Sequence, residues 1–376
     1  MGKHLKKYET SESDLLVFSQ KSGRLYGFDQ FGASLFSLIE KDIHLKEILL
    51  DDFKENEAAQ SLIYTICDLM KGEELPEPET NEAFTIDYPL LEQNKINLEN
   101  PFYYRLNQFD FVIDTKQKWI IEKVLPALEH LKFFPHNTSN FSLIITFEED
   151  DEGWCILFNE KCLHKGVKII ELLPILMDYI RIGYYHSIDY LISLHAGALN
   201  YQGKSLILPA ISGSGKSTLS TYLMEQGFSF LTDEVALIDT NEYLQPIPMS
   251  ITLKEGSWKV LETYGVSFKN LSVHRRFDNQ RVSFLPPKNV ASGNLTVKGA
   301  FLIFPQYRQG AKTEITPLST LETLARITLS GYEVKDSFDW HTVKRWVQLI
   351  EGFHKYAITY SDMEDVRLHI ERLMTA

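Results

Sequence analysis

Two short apolar and aromatic runs, Leu15 to Ser19 and Arg24 to Phe28, flank Lys21-Ser22-Gly23 near the start of the chain. Runs of that length around a glycine predict a β-hairpin with Gly23 in its turn. The period then changes: Phe31, Leu35, Phe36, Leu38 and Ile39, and later Leu62, Ile63, Ile66, Leu69 and Met70, recur at helical spacing. A hairpin followed by helices is therefore expected over roughly the first 72 residues. Gly72 to Glu82 then carries two prolines and five glutamates with almost no apolar side chain, which predicts an extended, solvated linker and few packed contacts across it. From Pro101 to His186 the pattern is mixed. It predicts a helix over Lys118 to Leu131, strands at Leu143 to Phe147 and Trp154 to Phe158, and a long apolar helix after Val167. From Leu191 onward strands at Ser205 to Leu208, Phe228 to Leu231, Val235 to Ile238 and Ala300 to Phe304 alternate with helical stretches, the pattern of an α/β core. The expected division is 1–80, a small N-terminal domain with its linker; 81–186, an α+β middle domain; and 187–376, the α/β domain.

A chain of 376 residues is long enough for two or three domains. Its 44% hydrophobic and 24% charged residues are those of an ordinary folded protein. The net charge of -13 argues against a chain that coats nucleic acid or an anionic membrane. Cys67, Cys155 and Cys162 form no CxxC pair, so neither a disulfide framework nor a zinc site is indicated, and a reducing cytoplasm is expected. The start, MGKHLKKYETSESD, has no apolar stretch behind its charges and does not read as a secretory signal. Glu171, Asp178 and Arg181 interrupt the apolar stretch from Val167 to Tyr185, which favours a buried or interfacial helix over a membrane span.

The clearest chemistry lies in Ala210-Ile-Ser-Gly-Ser-Gly-Lys-Ser-Thr218, which matches the Walker A pattern with Ala in place of its first glycine. An apolar strand leads into it and a helix from Lys216 to about Gln226 leads out, with Gly227 just beyond. Ser212, Gly213, Ser214 and Gly215 would turn backbone N–H groups around phosphates, and the helix N-terminus adds its own unpaired donors. Lys216, expected to stand exposed in the nucleotide cleft, reaches the β and γ phosphates, while Ser217 holds Mg²⁺ and Thr218 completes the motif. The bland alternative is a chance Gly/Ser turn. The alanine matters only if its position needs positive φ.

Asp233 and Glu234 follow the apolar strand directly, where a carboxylate would lie near a P-loop metal. One acid could serve the metal and the other accept a proton from an acceptor hydroxyl; an ordinary Asp-Glu turn is the competing reading. His195, in Leu194-His-Ala-Gly-Ala-Leu199, is by itself as consistent with a structural role as with a catalytic one. Lys254 and the His274-Arg275-Arg276 run, with Arg281, are candidates for phosphate or substrate contacts, against a solvated charged face.

Taken together, LHAGAL, LILPAISGSGKSTL and MEQGFSFLTDEVALI resemble the bacterial HPr serine kinase/phosphorylase family, in order and spacing, over roughly Leu191 to Ile238. The run from Pro246 to Lys254 is similar to the branch of HPr kinase-related proteins associated with peptide modification. The resemblance implies an ATP- and Mg²⁺-dependent kinase in which Lys216, Ser217 and Thr218 hold the nucleotide, Asp233 is the base toward an acceptor serine and His195 lies nearby. Glu234 stands where HPr kinases proper have a second Asp. LLVFSQKSGRLYGFDQFGASLFSLIE, with the helix from Ala58 to Met70, resembles the small winged-helix-like PqqD peptide-recognition fold, in which a leader peptide adds to a hairpin edge; a generic docking domain is the alternative. The joint implication is a kinase for a ribosomally made precursor peptide or small protein. A small-molecule kinase and a nucleotide-sensing module remain the alternatives, and homo-oligomerisation stays open.

Overall fold

The computed structural model describes residues 2–73, 98–135, 141–293, 295–335 and 338–375. Most of the expected linker, 74–82, and with it the expected boundary near residue 80, lies outside the described residues. The N-terminal part is an antiparallel meander of β1 (Leu5–Glu9), β2 (Leu15–Ser19) and β3 (Arg24–Phe28), with Gly23 at positive φ in the expected turn. The first strand was not foreseen, because three of its five residues are charged. Asp29 caps α1 (Gln30–Lys41) by accepting from the N–H of Gly32. After α2 (Leu45–Asp52), Asn56 caps α3 (Glu57–Lys71) in the same way.

Alternation along β2 gives this unit two apolar faces. Val17 points into a core with Phe28, Phe36, Ile39, Ile63 and Ile66. Leu16 and Phe18 point the other way, into a second cluster with Val343 and Val347 from the far end of the chain. The expectation of few packed contacts between this unit and the rest is thereby corrected. An acidic linker reports on its own solvation, not on the faces of the elements it joins.

The middle part runs β4 (Pro101–Leu106), β5 (Phe109–Asp114), α4 (Lys118–Lys123), a 3₁₀ turn over Leu125–Leu131, β6 (Leu143–Asp150), β7 (Gly153–Phe158), β8 (Lys161–Val167) and α5 (Ile169–Ser187). Its five strands lie in chain order, with β5 and β6 parallel and the other pairs antiparallel. The single helix expected over Lys118 to Leu131 breaks at Val124, since Pro126 lacks the N–H that an α-helix would use. Cys155 and Cys162 face each other across the β7–β8 hairpin as a disulfide, Cα atoms 6.1 Å apart, which corrects the reading that no such pair was indicated. Cys162 is in register with Leu157, so the two cysteines meet on a diagonal of the hairpin, an approach that their spacing along the chain does not show.

The remainder contains β9 (Ile192–Leu194), β10 (Ala196–Tyr201), β11 (Lys204–Pro209), α6 (Lys216–Glu225), β12 (Ser229–Thr232), β13 (Ala236–Ile238), β14 (Tyr243–Gln245), β15 (Ile251–Lys254) and α7 (Glu255–Thr263). There follow β16 (Val273–Arg275), β17 (Arg281–Leu285), β18 (Leu295–Thr296), β19 (Phe301–Tyr307), β20 (Glu314–Pro317), α8 (Thr320–Ser330), β21 (Tyr332–Val334), α9 (Trp340–Glu351), β22 (His354–Tyr360) and α10 (Met363–Thr375). A six-stranded sheet in the order β12-β10-β11-β19-β22-β20 carries β11 in its interior, antiparallel to β10 and parallel to β19. One face buries residues of α6, α7 and α10, including Leu219, Leu223, Leu261, Val366 and Ile370. The other packs on the antiparallel sheet β18-β14-β13-β9-β21 and on α9 through Leu194, Ile207, Leu302, Trp346 and Ile350. A small sheet, β15-β17-β16, joins this assembly to the middle part, whose core continues through α5 into Leu237, Met249, Val282 and Phe284. The molecule is thus a mixed α/β structure. Among the described residues no helix is long and apolar enough to cross a membrane.

Candidate functional site

Two strand pairs change sheets at the same place. Ala198 on β10 faces Thr232 on β12 in the six-stranded sheet, whereas Leu194 on β9 faces Ala236 on β13 in the five-stranded one. His195 is the residue at the first break and Asp233-Glu234 lie at the second, so the parting of two sheets brings one histidine and two acids together. The N–H of His195 donates to the carbonyl of Gly331 at 2.9 Å, which anchors its backbone.

The adjacent edge is the loop after β11. Gly213 and Gly215 both take positive φ, at +89° and +93°, and Gly215 forms the N-terminal boundary of α6 without a side-chain cap, leaving the first helical donors to another partner. A Cβ on Gly215 would sit 2.9 Å from the Tyr360 hydroxyl, so strain and space both require glycine there. Ala210 is not at positive φ, so its replacement of the usual first glycine costs no strain. Ser212 and Gly213 are exposed, Ser217 and Thr218 half-buried in the first turn of α6. The buried hydroxyl of Ser214 has no hydrogen-bond partner, while its carbonyl accepts from the N–H of Tyr307 and ties the loop to β19.

Lys216 corrects an expectation. It is 8% exposed rather than open to the cleft, because its ammonium turns inward, donates to the carbonyl of Asp233 and lies 3.8 Å from that residue's Oδ1. Both carboxylate oxygens of Asp233 are buried without a hydrogen bond of proper geometry, although the Ser217 and Ser220 hydroxyls are close. Burial pushes this carboxyl above the ordinary carboxylate range; Lys216 opposes the rise without cancelling it, and Glu234 adds to it. Glu234 behaves oppositely. Burial would raise it, but Arg181, Lys216, His195 and Arg276 together hold it below its usual value, and 34% of its side chain still meets solvent. His195 is pushed down by burial and then by Lys216, so it stands neutral near pH 7. Two neighbouring carboxyls driven in opposite directions are the arrangement in which one acid exchanges protons and the other remains an anion.

Gly197 makes the approach of these groups feasible. A Cβ there would lie 2.6 Å from Ser220 Oγ and 3.2 Å from Asp233 Oδ1. Arg181, which the sequence reading treated only as a charge interrupting an apolar helix, comes from α5 in the middle part, 3.7 Å from Glu234 and 3.2 Å from Asp178. A charged residue on the wet edge of a buried helix was the available signal. The candidates for phosphate contact separate. Lys254, at the end of β15, donates to Ser212 Oγ at 3.1 Å and so stands over the glycine loop. Arg276 is half-buried and helps to hold Glu234 low, while burial raises Asp178 despite Arg181 and Arg276 beside it. Arg275 is exposed beside Arg281 across β16–β17, and among the described residues no hydrogen bond or ion pair joins it to the acids.

No family model matches the chain, and no curated protein matches it.

Proposed function

We propose that the chain is an ATP-dependent kinase with an HPr kinase-like α/β P-loop core, which phosphorylates a hydroxyl, most simply that of a serine, on a ribosomally made precursor peptide or small protein. The observation that carries this reading is Asp233: a carboxyl buried at the mouth of a P-loop, raised in pKa and without a hydrogen-bond partner, 3.8 Å from the loop lysine. A nucleotide-binding module alone has no use for such a proton acceptor. In the proposed reaction Asp233 takes the proton of the acceptor hydroxyl as its oxygen bonds to the γ-phosphorus. The bond from that phosphorus to the β–γ bridging oxygen breaks, and ADP leaves. Lys216 exchanges the Asp233 carbonyl for phosphate oxygens, and the loop N–H groups from Gly213 to Thr218, with Lys254, hold the remaining phosphate charge.

The donor set fits Mg²⁺. Ser217 and the anionic Glu234 would hold it, and it would neutralise charge on the β and γ phosphates.

A peptide acceptor is supported by a groove of about 450 Å³ on the N-terminal unit, between the last strand of its sheet, β3, at Tyr26 and α3 at Glu57, Gln60, Tyr64 and Asp68. An extended leader adding alongside β3 in that groove matches the binding mode of a PqqD-like domain, and the acidic lining suits basic leader residues. ATP and a peptide fresh from the ribosome are both cytoplasmic, and we place the reaction there, with neither nucleic acid nor membrane as partner. The experiment is phosphate transfer and nucleotide calorimetry on Lys216→Ala. Transfer should fall by roughly 10²-fold or more with the fold retained, and activity within a few-fold of wild type would refute the P-loop assignment.

A further inference from the structure

A second cleft lies away from the phosphate site. It opens between the middle part and the β15-β17-β16 sheet, has a volume of about 1020 Å³ and is large enough for a ligand of several residues. Its floor is aromatic, with Trp119 and Trp154 in edge-to-face contact 5.0 Å apart. Three lysines stand around it, Lys123, Lys168 and Lys269, all exposed, and among the described residues none makes an ion pair. In a chain of net charge -13, a cleft whose unpaired charges are all positive is a local inversion of the surface.

Two further features face the same space. The N-terminus of the 19-residue helix α5, at Lys168, Ile169 and Ile170, has no side-chain cap and presents free N–H donors with the positive end of the dipole. His274 is 3% exposed, and neither ring nitrogen has a hydrogen-bond partner; the carbonyls of Lys123 and Ile170 lie near the ring without completing a bond. A neutral histidine still carries one N–H, and a buried donor without an acceptor is costly unless something supplies one. The exposed side chains of Ile169 and Ile170 add apolar surface beside these donors.

The cleft also lies on a line to the candidate phosphate site. The β16 strand packs along α5. His274 in that strand lines the cleft, while the next residue but one, Arg276, helps to hold Glu234 down and opposes the rise that burial gives Asp178. On α5, Ile169 at the cleft and Asp178 beside the acids are nine positions apart, roughly 13 Å along the axis at 1.5 Å per residue. An extended peptide covers that distance in about four residues.

We propose that this cleft binds an acidic segment of the acceptor peptide, its carboxylates on Lys123, Lys168, Lys269 and the α5 N-terminus, about four residues from the hydroxyl presented to Asp233. This rests on the reading of the chain as a peptide kinase, and it adds the substrate class: a serine accompanied at short distance by Asp or Glu. Charge also sorts the two peptide surfaces, since the groove on α3 is acidic where the cleft is basic.

Binding can be tested without ATP, using the full chain and three fluorescein-labelled peptides that share one serine and differ in a neighbouring run of four side chains, either acidic, their amide counterparts, or lysine. Fluorescence anisotropy should show the acidic peptide binding at least about tenfold more tightly than the amide one, weakening with salt. The triple variant Lys123→Glu, Lys168→Glu, Lys269→Glu, confined to exposed positions, should lose that preference and favour the lysine peptide. Equal binding of the acidic and amide peptides, or an unchanged preference in the triple variant, overturns the proposal. Asp233→Asn should bind the acidic peptide as the wild type does. If that binding pattern holds and no acceptor is ever phosphorylated, the kinase reading fails and the cleft stands. If transfer proceeds equally to acidic and amide peptides, the cleft assignment fails alone.

Discussion

At the scale of single residues, the opposite shifts of Asp233 and Glu234 separate their roles experimentally. Asp233→Asn should still bind ATP with Mg²⁺ and lose transfer, because a base acts after binding; calorimetry with a transfer assay on one preparation tests this. A collapse of nucleotide affinity instead would make Asp233 the metal ligand and Glu234 the candidate base. Since burial raises Asp233 and the base must be ionised, kcat/KM should rise with pH along an acid limb above the ordinary carboxylate range. His195→Gln should leave that limb in place if the limb belongs to Asp233. Arg181→Met removes the nearest cation holding Glu234 as an anion, so the Mg²⁺ concentration for half-maximal transfer should increase several-fold while nucleotide binding without metal changes little. His274 offers a stability test. Burial lowers it from 6.5 to about 4, so protonation is harder in the folded chain than in the unfolded one. Stability is therefore full above the unfolded value and falls as pH drops from about 6.5 toward 4, by at most roughly 3 kcal/mol. His274→Gln should flatten that dependence in urea titrations across the same range.

Among the elements, β10 and α6 meet at Gly197, and their approach decides whether α6 and the acid pair share one site. The 2.6 Å that a Cβ would leave to the fully buried Ser220 Oγ is too short, so Gly197→Ala should destabilise the chain by roughly 1–3 kcal/mol and lower kcat more than ATP affinity. Adding Ser220→Ala removes the clashing hydroxyl and should recover most of the stability. Failure of that rescue would show that the contact is not the cause. A turn at this scale was legible in the chain itself, as with Gly23 in a hairpin, while the caps Asp29 and Asn56, which also act on backbone a few positions away, went unread. The break near Pro126 was also encoded locally, but the periodicity of the flanking leucines concealed it.

For the molecule as a whole, the N-terminal unit behaves as a docked part. Tyr8 and the backbone of Ser11 bond to Glu351, Glu12 reaches Lys355 at 3.2 Å, and Leu16 and Phe18 bury Val343 and Val347. Deleting residues 2–73 should therefore expose an apolar face on α9 and yield a chain prone to association, seen by light scattering, rather than the well-behaved core that the acidic linker suggests. Recognition is better tested in the groove: Glu57→Lys with Asp68→Lys should raise KM for a leader-bearing peptide with kcat nearly constant. Unchanged kinetics would favour a small-molecule acceptor.

What the sequence determined by itself was whatever one short stretch of backbone can encode. A strand end, two glycines at positive φ and a helix start all lie within Ala210 to Thr218, so the shape of the turn we propose as a phosphate cradle could be read without reference to the rest of the chain. The acids after β12 and the hairpin near the start were readable for the same reason. The tertiary structure alone decided which distant groups meet those stretches. Arg181 reaches Glu234 across 53 positions, Gly197 meets Ser220 and Asp233, and His274 closes a cleft with Trp119 and Lys168. Leu16 and Phe18 on β2 find Val343 and Val347 near the other end of the chain. Such meetings follow from how sheets part and helices pack, and from burial that moves two adjacent carboxyls in opposite directions. Neither periodicity nor spacing along the chain carries that information, because the low dielectric that shifts a pKa comes from neighbours supplied by the fold.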